Sequence, residues 1–305
     1  MGKVVVTGGS GFIGSHVVDA LVEAGHQVTV IDHRSRPHRD DVAFEDIDLM
    51  EMSSVLSATR GADHIFHLAA VSNVNYAYKY PVYSTALNIM GTAHMLEAAR
   101  INGGARVYLA STVWVYNGCP KGDCVDEAMP FYLDGAGHIY TSTKMACEMI
   151  CHNYAQLYKV PFTVLRLGIP YGPRMREELL IPTFIKKALN GTPLTIAGKG
   201  DQYRNFIYVR DLAEGHVAAM TDVAINQTYN LEGTRKVTVR EVAEGIRRNI
   251  GEHVRIEYVP ERPGDFGGKE ISAAKAQREL GWSATVDFED GLQRTVEWFR
   301  AAWGK

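Results

Sequence analysis

Tyr140 and Lys144 stand four residues apart in the stretch "YTSTK", which lies within a helical pattern. Residues at this spacing share one face of a helix, so the phenol and the ammonium group would be neighbours. A tyrosine has an ordinary pKa of about 10, and a nearby positive charge lowers that pKa because it stabilises the phenolate. The pair could therefore be a general base that removes a proton from an alcohol. A surface tyrosine–lysine pair without a catalytic role is the alternative.

A second candidate site is the glycine-rich stretch "TGGSGFIG" at residues 7–14. It follows a short apolar run and opens a helical pattern, which is where a dinucleotide pyrophosphate meets the backbone N–H groups of a helix N-terminus. A side chain at that point would block the approach. A tight turn without a ligand is the alternative. The stretch predicts cofactor contacts from Gly8, Gly11, Phe12, Ile13 and Gly14.

Asp32 ends the next strand pattern, "QVTVID", 18 residues after Gly14. A carboxylate at this place can accept hydrogen bonds from the adenosine ribose hydroxyl groups. It would also repel the 2′-phosphate of NADP, so we predict NAD as the cofactor. Arg34 and Arg36 lie close by in the sequence and keep NADP open as the alternative.

Alternating strand and helix patterns surround these residues. Five short strand patterns, "KVVVTG", "QVTVID", "HIFHLAA", "ARVYLAS" and "FTVLRLG", are separated by helical patterns. This alternation predicts an α/β fold with a Rossmann-type doubly wound parallel sheet. After Leu167 the chain is richer in proline, glycine and arginine. We therefore predict an NAD-binding domain over residues 1–167 and a smaller, mainly substrate-binding region over residues 168–305, with some segments returning to the first domain.

The composition excludes several classes of function. The 305 residues carry a formal net charge of −3 and are 46% hydrophobic, which permits a large core but gives no electrostatic footprint for nucleic acid or an anionic membrane. The start "MGKVVVTGG" runs straight into a strand, and no apolar run reaches the length of a membrane span, so we expect a cytoplasmic protein. The four cysteines form no C-x-x-C pair; we expect reduced thiols and no metal, with a zinc site as the alternative.

At this point the chain resembles the extended branch of the short-chain dehydrogenase/reductase superfamily, the nucleotide-sugar epimerases and dehydratases. The resemblance runs nearly end to end and preserves the order of its motifs. After the glycine loop and Asp32, these are "DL" at 48–49, "HLAA" at 67–70, "NIMGT" at 88–92, "ST--VY" at 111–116, "YTSTK", "YGPR" at 171–174, "YRNFIYVRDLA" at 203–213, "RPGD" at 262–265 and "LGW" at 280–282.

The resemblance implies roles for further residues. On the cofactor side it implies that Asp48 and Leu49 flank the adenine, that Leu68, Ala69 and Ala70 line the dinucleotide, and that Asn88 and Ser111 belong to the same site. It assigns Tyr140 and Lys144 to both catalysis and cofactor binding, and Thr112 to catalysis and substrate binding. Arg204 and Arg262 correspond to arginines that hold the substrate diphosphate, and Asp265 and Ile169 are assigned to the substrate. For His67 a packing role is favoured. The family also implies a homodimer formed through the helices that contain Asn88 and Tyr140.

The two residues after Thr112 bear on the reaction. Members of the family that eliminate water or carbon dioxide carry an acid just after the catalytic threonine, whereas this chain has Val113 and Trp114. Neither side chain can transfer a proton. The resemblance therefore implies that Tyr140 deprotonates the C4 hydroxyl, that a 4-keto sugar forms, and that the hydride returns to the other face. This is 4-epimerisation, and we expect a UDP-hexose as the substrate.

Three alternatives remain at the level of sequence. The first is a different substrate. Ile169 replaces an asparagine common in the family, and Arg176, seven residues later, could bind the carboxylate of UDP-glucuronate. A local ion-pair network of Arg176 with Arg174, Glu177 and Glu178 explains this arginine equally well. An NADPH-dependent 4-keto-sugar reductase would use the same catalytic residues, although Asp32 argues against it. A redox-sensing binding protein without turnover is opposed by the complete catalytic set.

Overall fold

A computed structural model describes residues 2–120, 124–260 and 269–304. Its strands are β1 Lys3–Thr7, β2 Gln27–Asp32, β3 Ala43–Asp46, β4 His64–His67, β5 Arg106–Thr112, β6 Phe162–Leu167, β7 Ile169–Tyr171, β8 Leu194–Ala197, β9 Tyr203–Arg204, β10 Phe206–Tyr208, β11 Gln227–Leu231, β12 Val237–Thr238 and β13 Ile256–Val259. Its helices are α1 Phe12–Glu23, α2 Met52–Ala58, α3 Val74–Lys79, α4 Pro81–Ile101, α5 Ile139–Tyr158, α6 Leu180–Leu189, α7 Val209–Ala218, α8 Val239–Ile250, α9 Ala274–Leu280 and α10 Phe288–Ala302.

The chain divides into two compact units. The first comprises Met1–Leu167, Ala213–Leu231 and Ile271–Ser283, so two later segments join the N-terminal part of the chain. The second comprises Gly168–Leu212, Glu232–Glu270 and Ala284–Lys305.

The first unit is built on a seven-stranded sheet in the order β11-β6-β5-β4-β1-β2-β3. Every neighbouring pair in it is parallel. The strand order reverses direction beside β1, and ligands of open α/β sheets bind at the carboxyl ends of the strands at such a reversal. This confirms the predicted Rossmann-type fold and places the glycine loop, which follows β1, at that edge.

The strands of this sheet read as continuous apolar runs because helices cover both faces. Val4, Val5 and Val6 of β1 are fully buried. Helices α4 and α5 pack on the sheet together, and Met95, Cys147 and Cys151 lie in their shared core. No cluster of three or more His, Cys, Asp or Glu side chains suited to a metal ion occurs among the described residues. In the same part of the chain, no helix is both long enough and apolar enough to cross a membrane.

A buried ion pair joins α5 to the sheet. Glu148 of α5 and Arg166 of β6 are 2% and 5% exposed. The Arg166 Nη2 atom donates to Glu148 Oε2 at 2.7 Å, and its Nε lies 3.1 and 3.2 Å from the two carboxylate oxygens. The hydroxyl group of Ser111, on β5, donates to the same carboxylate. Glu148 thus connects the helix to two adjacent strands.

Further polar groups complete this pair. The Tyr116 hydroxyl accepts from Arg166 Nη1 at 2.7 Å and donates to Asn230 Oδ1 at 2.8 Å. The guanidinium lies 5.0 Å from the ring centroid of Tyr116 and 5.2 Å from that of Phe131, within the range of cation–π attraction. A charge pair taken out of water stabilises a fold only when its remaining hydrogen-bonding groups are also satisfied. Here Ser111, Tyr116 and Asn230 meet that requirement.

We predict that Glu148→Gln lowers the free energy of unfolding by about 3–5 kcal/mol, because it leaves a buried guanidinium without its countercharge. The matched control is Glu97→Gln, which removes a partly exposed i, i+3 pair with Arg100 and should cost less than about 1 kcal/mol. Urea denaturation of the three proteins measures both. Equal losses in the two variants would contradict the prediction.

Candidate active site

The glycine loop packs against the segment that follows β4. Gly8 has φ +69°, and a Cβ atom on it would lie 2.8 Å from the backbone N and Cα of Ala69. A Cβ on Gly14 would overlap the carbonyl oxygen of Gly8. Helix α1 begins at Phe12, and its N-cap, Gly11, makes no side-chain cap. The first N–H groups of α1, including those of Phe12 and Ile13, are therefore suited to an anionic group.

Asp32 is held beside this loop at the end of β2. Its carboxylate accepts from the backbone N–H of Ser10 at 3.2 Å, of His33 at 2.9 Å and of Arg34 at 3.1 Å. The guanidinium of Arg34 lies 6.0 Å from the ring centroid of Tyr76. These bonds orient the carboxylate at the carboxyl edge of the sheet, where it can accept from ribose hydroxyl groups.

The segment Leu68–Ala70 is braced from two sides. The Leu68 N–H donates to Thr7 O at 3.2 Å, and the Ala69 N–H to Thr7 Oγ1 at 3.3 Å. Asn88 of α4 accepts from Val71 N at 2.7 Å and donates to Val71 O at 3.2 Å. Its amide also donates to Thr143 Oγ1 at 3.0 Å. Asn88 therefore supports the backbone beside the predicted cofactor site, and direct contact with the cofactor stays a prediction.

His67 lies in the same layer and is fully buried. Its Nδ1 is 2.8 Å from Thr7 Oγ1, and its Nε2 is 3.1 Å from Thr92 Oγ1. Burial, together with the charge of Lys144, lowers the pKa of His67 to about 3. The imidazole is therefore neutral and links two hydroxyl groups across the core.

At the other end of the predicted cofactor site, Asp48 and Leu49 follow β3. Leu49 is buried, and its carbonyl oxygen lies 2.7 Å from His94 Nδ1. Asp48 is exposed and accepts from the Met50 N–H at 3.0 Å. The pair forms a tight turn whose backbone is fixed by α4.

The three predicted catalytic residues occur together in the first unit. Tyr140 and Lys144 share one face of α5, and Lys144 Nζ lies 6.0 Å from the ring centroid of Tyr140. That ammonium group also donates to Ala110 O at 2.6 Å, two residues before Thr112 at the end of β5. Burial lowers the pKa of Lys144, while Cys147 and Glu148 oppose that shift. The Lys144 Nζ atom is thus held beside the phenol that would act as the base.

Thr112 begins a 3₁₀ turn, Val113–Tyr116, and its Oγ1 accepts from the Trp114 N–H at 3.2 Å. The Trp114 ring lies 4.7 Å from the His138 ring, which in turn is 6.2 Å from the Tyr140 ring. His138 caps α5, because its Nδ1 accepts from the Thr141 N–H at 3.2 Å. Burial lowers the pKa of His138, so the cap is uncharged.

Sequence reasoning missed His138, Glu148 and Arg166. His138 could have been found, because it stands directly before a predicted helix, where a side chain can cap the first turn. The other two carry no local signal, since α5 and β6 meet only in the folded chain.

The remaining predicted substrate residues belong to the second unit. Ile169 begins β7 and pairs with Phe206 of β10. Arg204 of β9 donates from Nη1 to Tyr203 O at 2.7 Å. Arg176 lies 3.7 Å from Glu178 in an exposed pair. Arg262 and Asp265 lie outside the described residues.

Comparison with known proteins adds to this geometry. Residues 4–231 match the family described as the NAD dependent epimerase/dehydratase family. UDP-glucuronic acid decarboxylase 1 from Danio rerio is 34% identical over 97% of this chain and 72% of its own length.

Two solved structures extend the comparison over the whole fold. The UDP-glucose 4-epimerase from Thermotoga maritima, determined with UDP-glucose, is 29% identical, with a TM-score of 0.91 and coverage of 99% of both chains. The UDP-glucuronic acid 4-epimerase from Bacillus cereus, in complex with UDP-glucuronic acid and NAD, is 28% identical, with a TM-score of 0.88 and coverage of 98% of this chain and 99% of its own.

The glycine loop, the uncapped start of α1 and the carboxylate of Asp32 fit a dinucleotide, and the cofactor of the matching family is NAD. The resemblance inferred from the motifs is thereby confirmed at the level of the family, while the relatives catalyse different reactions on nucleotide sugars. The chain therefore belongs to the NAD dependent epimerase/dehydratase family and is an enzyme that acts on nucleotide sugars.

Proposed function

We propose that this enzyme is an NAD-dependent nucleotide-sugar 4-epimerase and that its substrate is a UDP-hexose of the UDP-glucose/UDP-galactose type. The observation that carries the proposal is a complete set of predicted catalytic residues without an acid directly after the threonine that ends β5. Thr112, Tyr140 and Lys144 are all present, whereas the two residues after Thr112 are Val113 and Trp114. A cytoplasmic location, predicted from the sequence, is part of the same proposal.

In this mechanism Tyr140 removes the proton from the C4 hydroxyl group of the sugar. Lys144 favours the phenolate form of Tyr140 through its positive charge, and Thr112 donates a hydrogen bond to the C4 oxygen. Bound NAD would accept the hydride from C4 and return it within the same cycle. Between the removal and the return of the hydride, the 4-keto sugar rotates so that its other face receives the hydride. Tyr140 then returns the proton to the C4 oxygen of the epimer.

The groups near Thr112 disfavour the elimination reactions of related enzymes. A dehydratase or decarboxylase must move further protons beyond C4, and this requires additional acid–base groups. Val113 and Trp114 have none, and the Trp114 ring lies 4.7 Å from a neutral His138. The likeness to the decarboxylase from Danio rerio supports a shared scaffold and a shared first oxidation. The likeness to two 4-epimerases supports the complete reaction.

One alternative substrate and one alternative reaction remain open. UDP-glucuronate is favoured by Arg176 and by the likeness to the epimerase from Bacillus cereus, but the exposed pair with Glu178 gives Arg176 another partner. An NADPH-dependent 4-keto-sugar reductase is disfavoured because the Asp32 carboxylate, fixed by three backbone N–H groups, would repel a 2′-phosphate.

Tyr140→Phe should lower kcat by about 10²–10⁴-fold, because it removes the general base without changing the packing of the ring. Tyr158→Phe, at the exposed end of the same helix, is the control and should retain full activity. The assay is product analysis with NAD and either UDP-glucose or UDP-glucuronate, without added reductant. Full activity in Tyr140→Phe, or turnover that requires stoichiometric NADPH, would contradict the proposal.

Arg176→Gln should leave kcat/KM for UDP-glucose within about twofold of the unmodified enzyme, since loss of an exposed ion pair has a small effect. Arg240→Gln, which removes another exposed pair in the same unit, is the control. The same assay is repeated with UDP-glucuronate. A loss of about tenfold or more on UDP-glucuronate alone would show a charged hydrogen bond to the substrate carboxylate and would favour the uronate as substrate.

We also propose that the protein is a homodimer that associates through α4 and α5. Both helices expose apolar side chains, Met90 on α4 and Met149 and Leu157 on α5, at 45%, 50% and 69%. Exposed apolar surface favours association when it forms a patch. Light scattering at micromolar concentration should give twice the chain mass of 33.7 kDa. Met149→Glu should give the monomer, whereas Val223→Glu, at an exposed apolar side chain elsewhere, should not. A monomeric mass for the unmodified protein would contradict the proposal.

A further inference from the structure

Glu232 is a buried acid that the mechanism above does not use. It is the first residue after β11 and is 4% exposed. Its carboxyl group accepts from the Gly233 N–H at 3.2 Å. No cation of the described residues pairs with it; Arg235, the nearest in sequence, pairs with Glu241, and Lys236 pairs with Glu270. Burial raises the pKa of Glu232 to about 8, so the group carries a proton at neutral pH.

The carboxyl group occupies space that the chain leaves open at Gly168. A Cβ atom on Gly168 would lie 2.5 Å from Glu232 Oε1 and 2.9 Å from Cδ. Any side chain at this position would therefore displace the carboxyl group. Because Gly168 immediately precedes Ile169, the acid lies one residue along the chain from a position assigned to the substrate.

The backbone of Glu232 is fixed from a second direction. A Cβ on Gly233 would overlap the carbonyl group of Phe206, so the chain after Glu232 packs directly on β10. Phe206 is also the residue that pairs with Ile169. Gly168, Ile169, Phe206 and Glu232 thus form one cluster within the second unit.

Asn205, which precedes Phe206 of this cluster in the chain, has a buried polar atom that is unpartnered among the described residues. It lies between Arg204, assigned to the substrate diphosphate, and Phe206. Its side-chain Oδ1 is buried and has no hydrogen-bond partner within the described ranges. Buried polar atoms are rarely left unpaired unless a ligand or water completes them. A sugar hydroxyl both donates and accepts, so it could satisfy an amide oxygen and a protonated carboxyl group alike.

We propose that Glu232 is a specificity-determining residue of the substrate site and that its carboxyl O–H donates a hydrogen bond to a hydroxyl group of the sugar of the nucleotide sugar. This assignment rests on the proposed function in one respect, namely that the substrate is a nucleotide sugar. It does not depend on which reaction follows binding.

The test compares the binding of UDP-glucose with that of UDP, which lacks the sugar, by calorimetry in the presence of NAD. Glu232→Met keeps an unbranched side chain of similar length but removes the donor. We expect the Kd of UDP-glucose to rise about tenfold, the equivalent of one hydrogen bond, while the Kd of UDP is unchanged. Glu270→Gln, at an exposed acid of the same unit, is the control and should change neither value.

The pH dependence gives a second readout. The affinity of the unmodified protein for UDP-glucose should fall as the pH rises through about 8, because ionisation removes the donor. Glu232→Gln keeps the size and a donor but does not titrate, so its affinity should stay level over the same range. This variant decides the question even if Glu232→Met does not fold.

Two results would overturn the proposal and leave Glu232 as a packing residue. One is an unchanged ratio of the Kd values of UDP-glucose and UDP in Glu232→Met. The other is a loss of UDP-glucose affinity at alkaline pH in Glu232→Gln that equals the loss in the unmodified protein. Binding is measured directly, so an absence of epimerisation would overturn the proposed reaction alone. Equal affinity of the unmodified protein for UDP and UDP-glucose at every pH would overturn the role of Glu232.

Discussion

The ion pair between Glu148 and Arg166 determines how the helix with the proposed general base lies on the sheet. Tyr140, Lys144 and Glu148 are spaced four residues apart and so occupy one face of α5. The ammonium group of Lys144 meets the carbonyl of Ala110, and the carboxylate of Glu148 meets the hydroxyl of Ser111. Rotation or sliding of α5 would leave a buried charge unpaired, at a cost of several kcal/mol. Helix and strand are thereby held at two consecutive residues, directly before Thr112.

Around the predicted cofactor site, polar side chains are used to hold backbone rather than to carry charge. Neutral His67 links the hydroxyl groups of Thr7 and Thr92, and the Asn88 amide accepts from the N–H and donates to the carbonyl oxygen of Val71. Because these polar groups are buried, they bond to one another and not to water. The effect is a rigid backbone edge between the glycine loop and the segment after β4. Such an edge costs little further ordering when a dinucleotide binds.

Proton transfer in the proposed reaction depends on a small number of titrating groups. In the first unit, neither Val113 nor Trp114 has an acidic side chain, and burial lowers the pKa of His138, so that its ring is neutral at pH 7. In the second unit, Glu232 is neutral at pH 7 and can donate a hydrogen bond without adding a negative charge. The proposed return of the hydride, in place of elimination, rests on the lack of an acidic side chain at the two positions after Thr112.

The family, the fold class and NAD as cofactor were readable from the sequence because each depends on local patterns. The glycines after the first strand, the acid at the next strand end, and the tyrosine and lysine one helical turn apart can each be read from neighbouring residues. The family was inferred from the resemblance that these and the further motifs carry together. The roles of Asn88 and Ile169, by contrast, could only be carried over from the resemblance.

Other features depended on contacts between residues far apart in the chain. Glu148 pairs with Arg166 across 18 residues, and Asn230 joins Tyr116 across 114. The sequence predicted that some later segments return to the first domain, but local periodicity did not show that these are residues 213–231 and 271–283. Glu232 has no local signal of burial, because its packing against Gly168 arises only when two distant segments meet. The sequence by itself determined the family and the side chains available for its chemistry. The tertiary structure decided which charged groups are buried, because burial and pairing are properties of the packed chain.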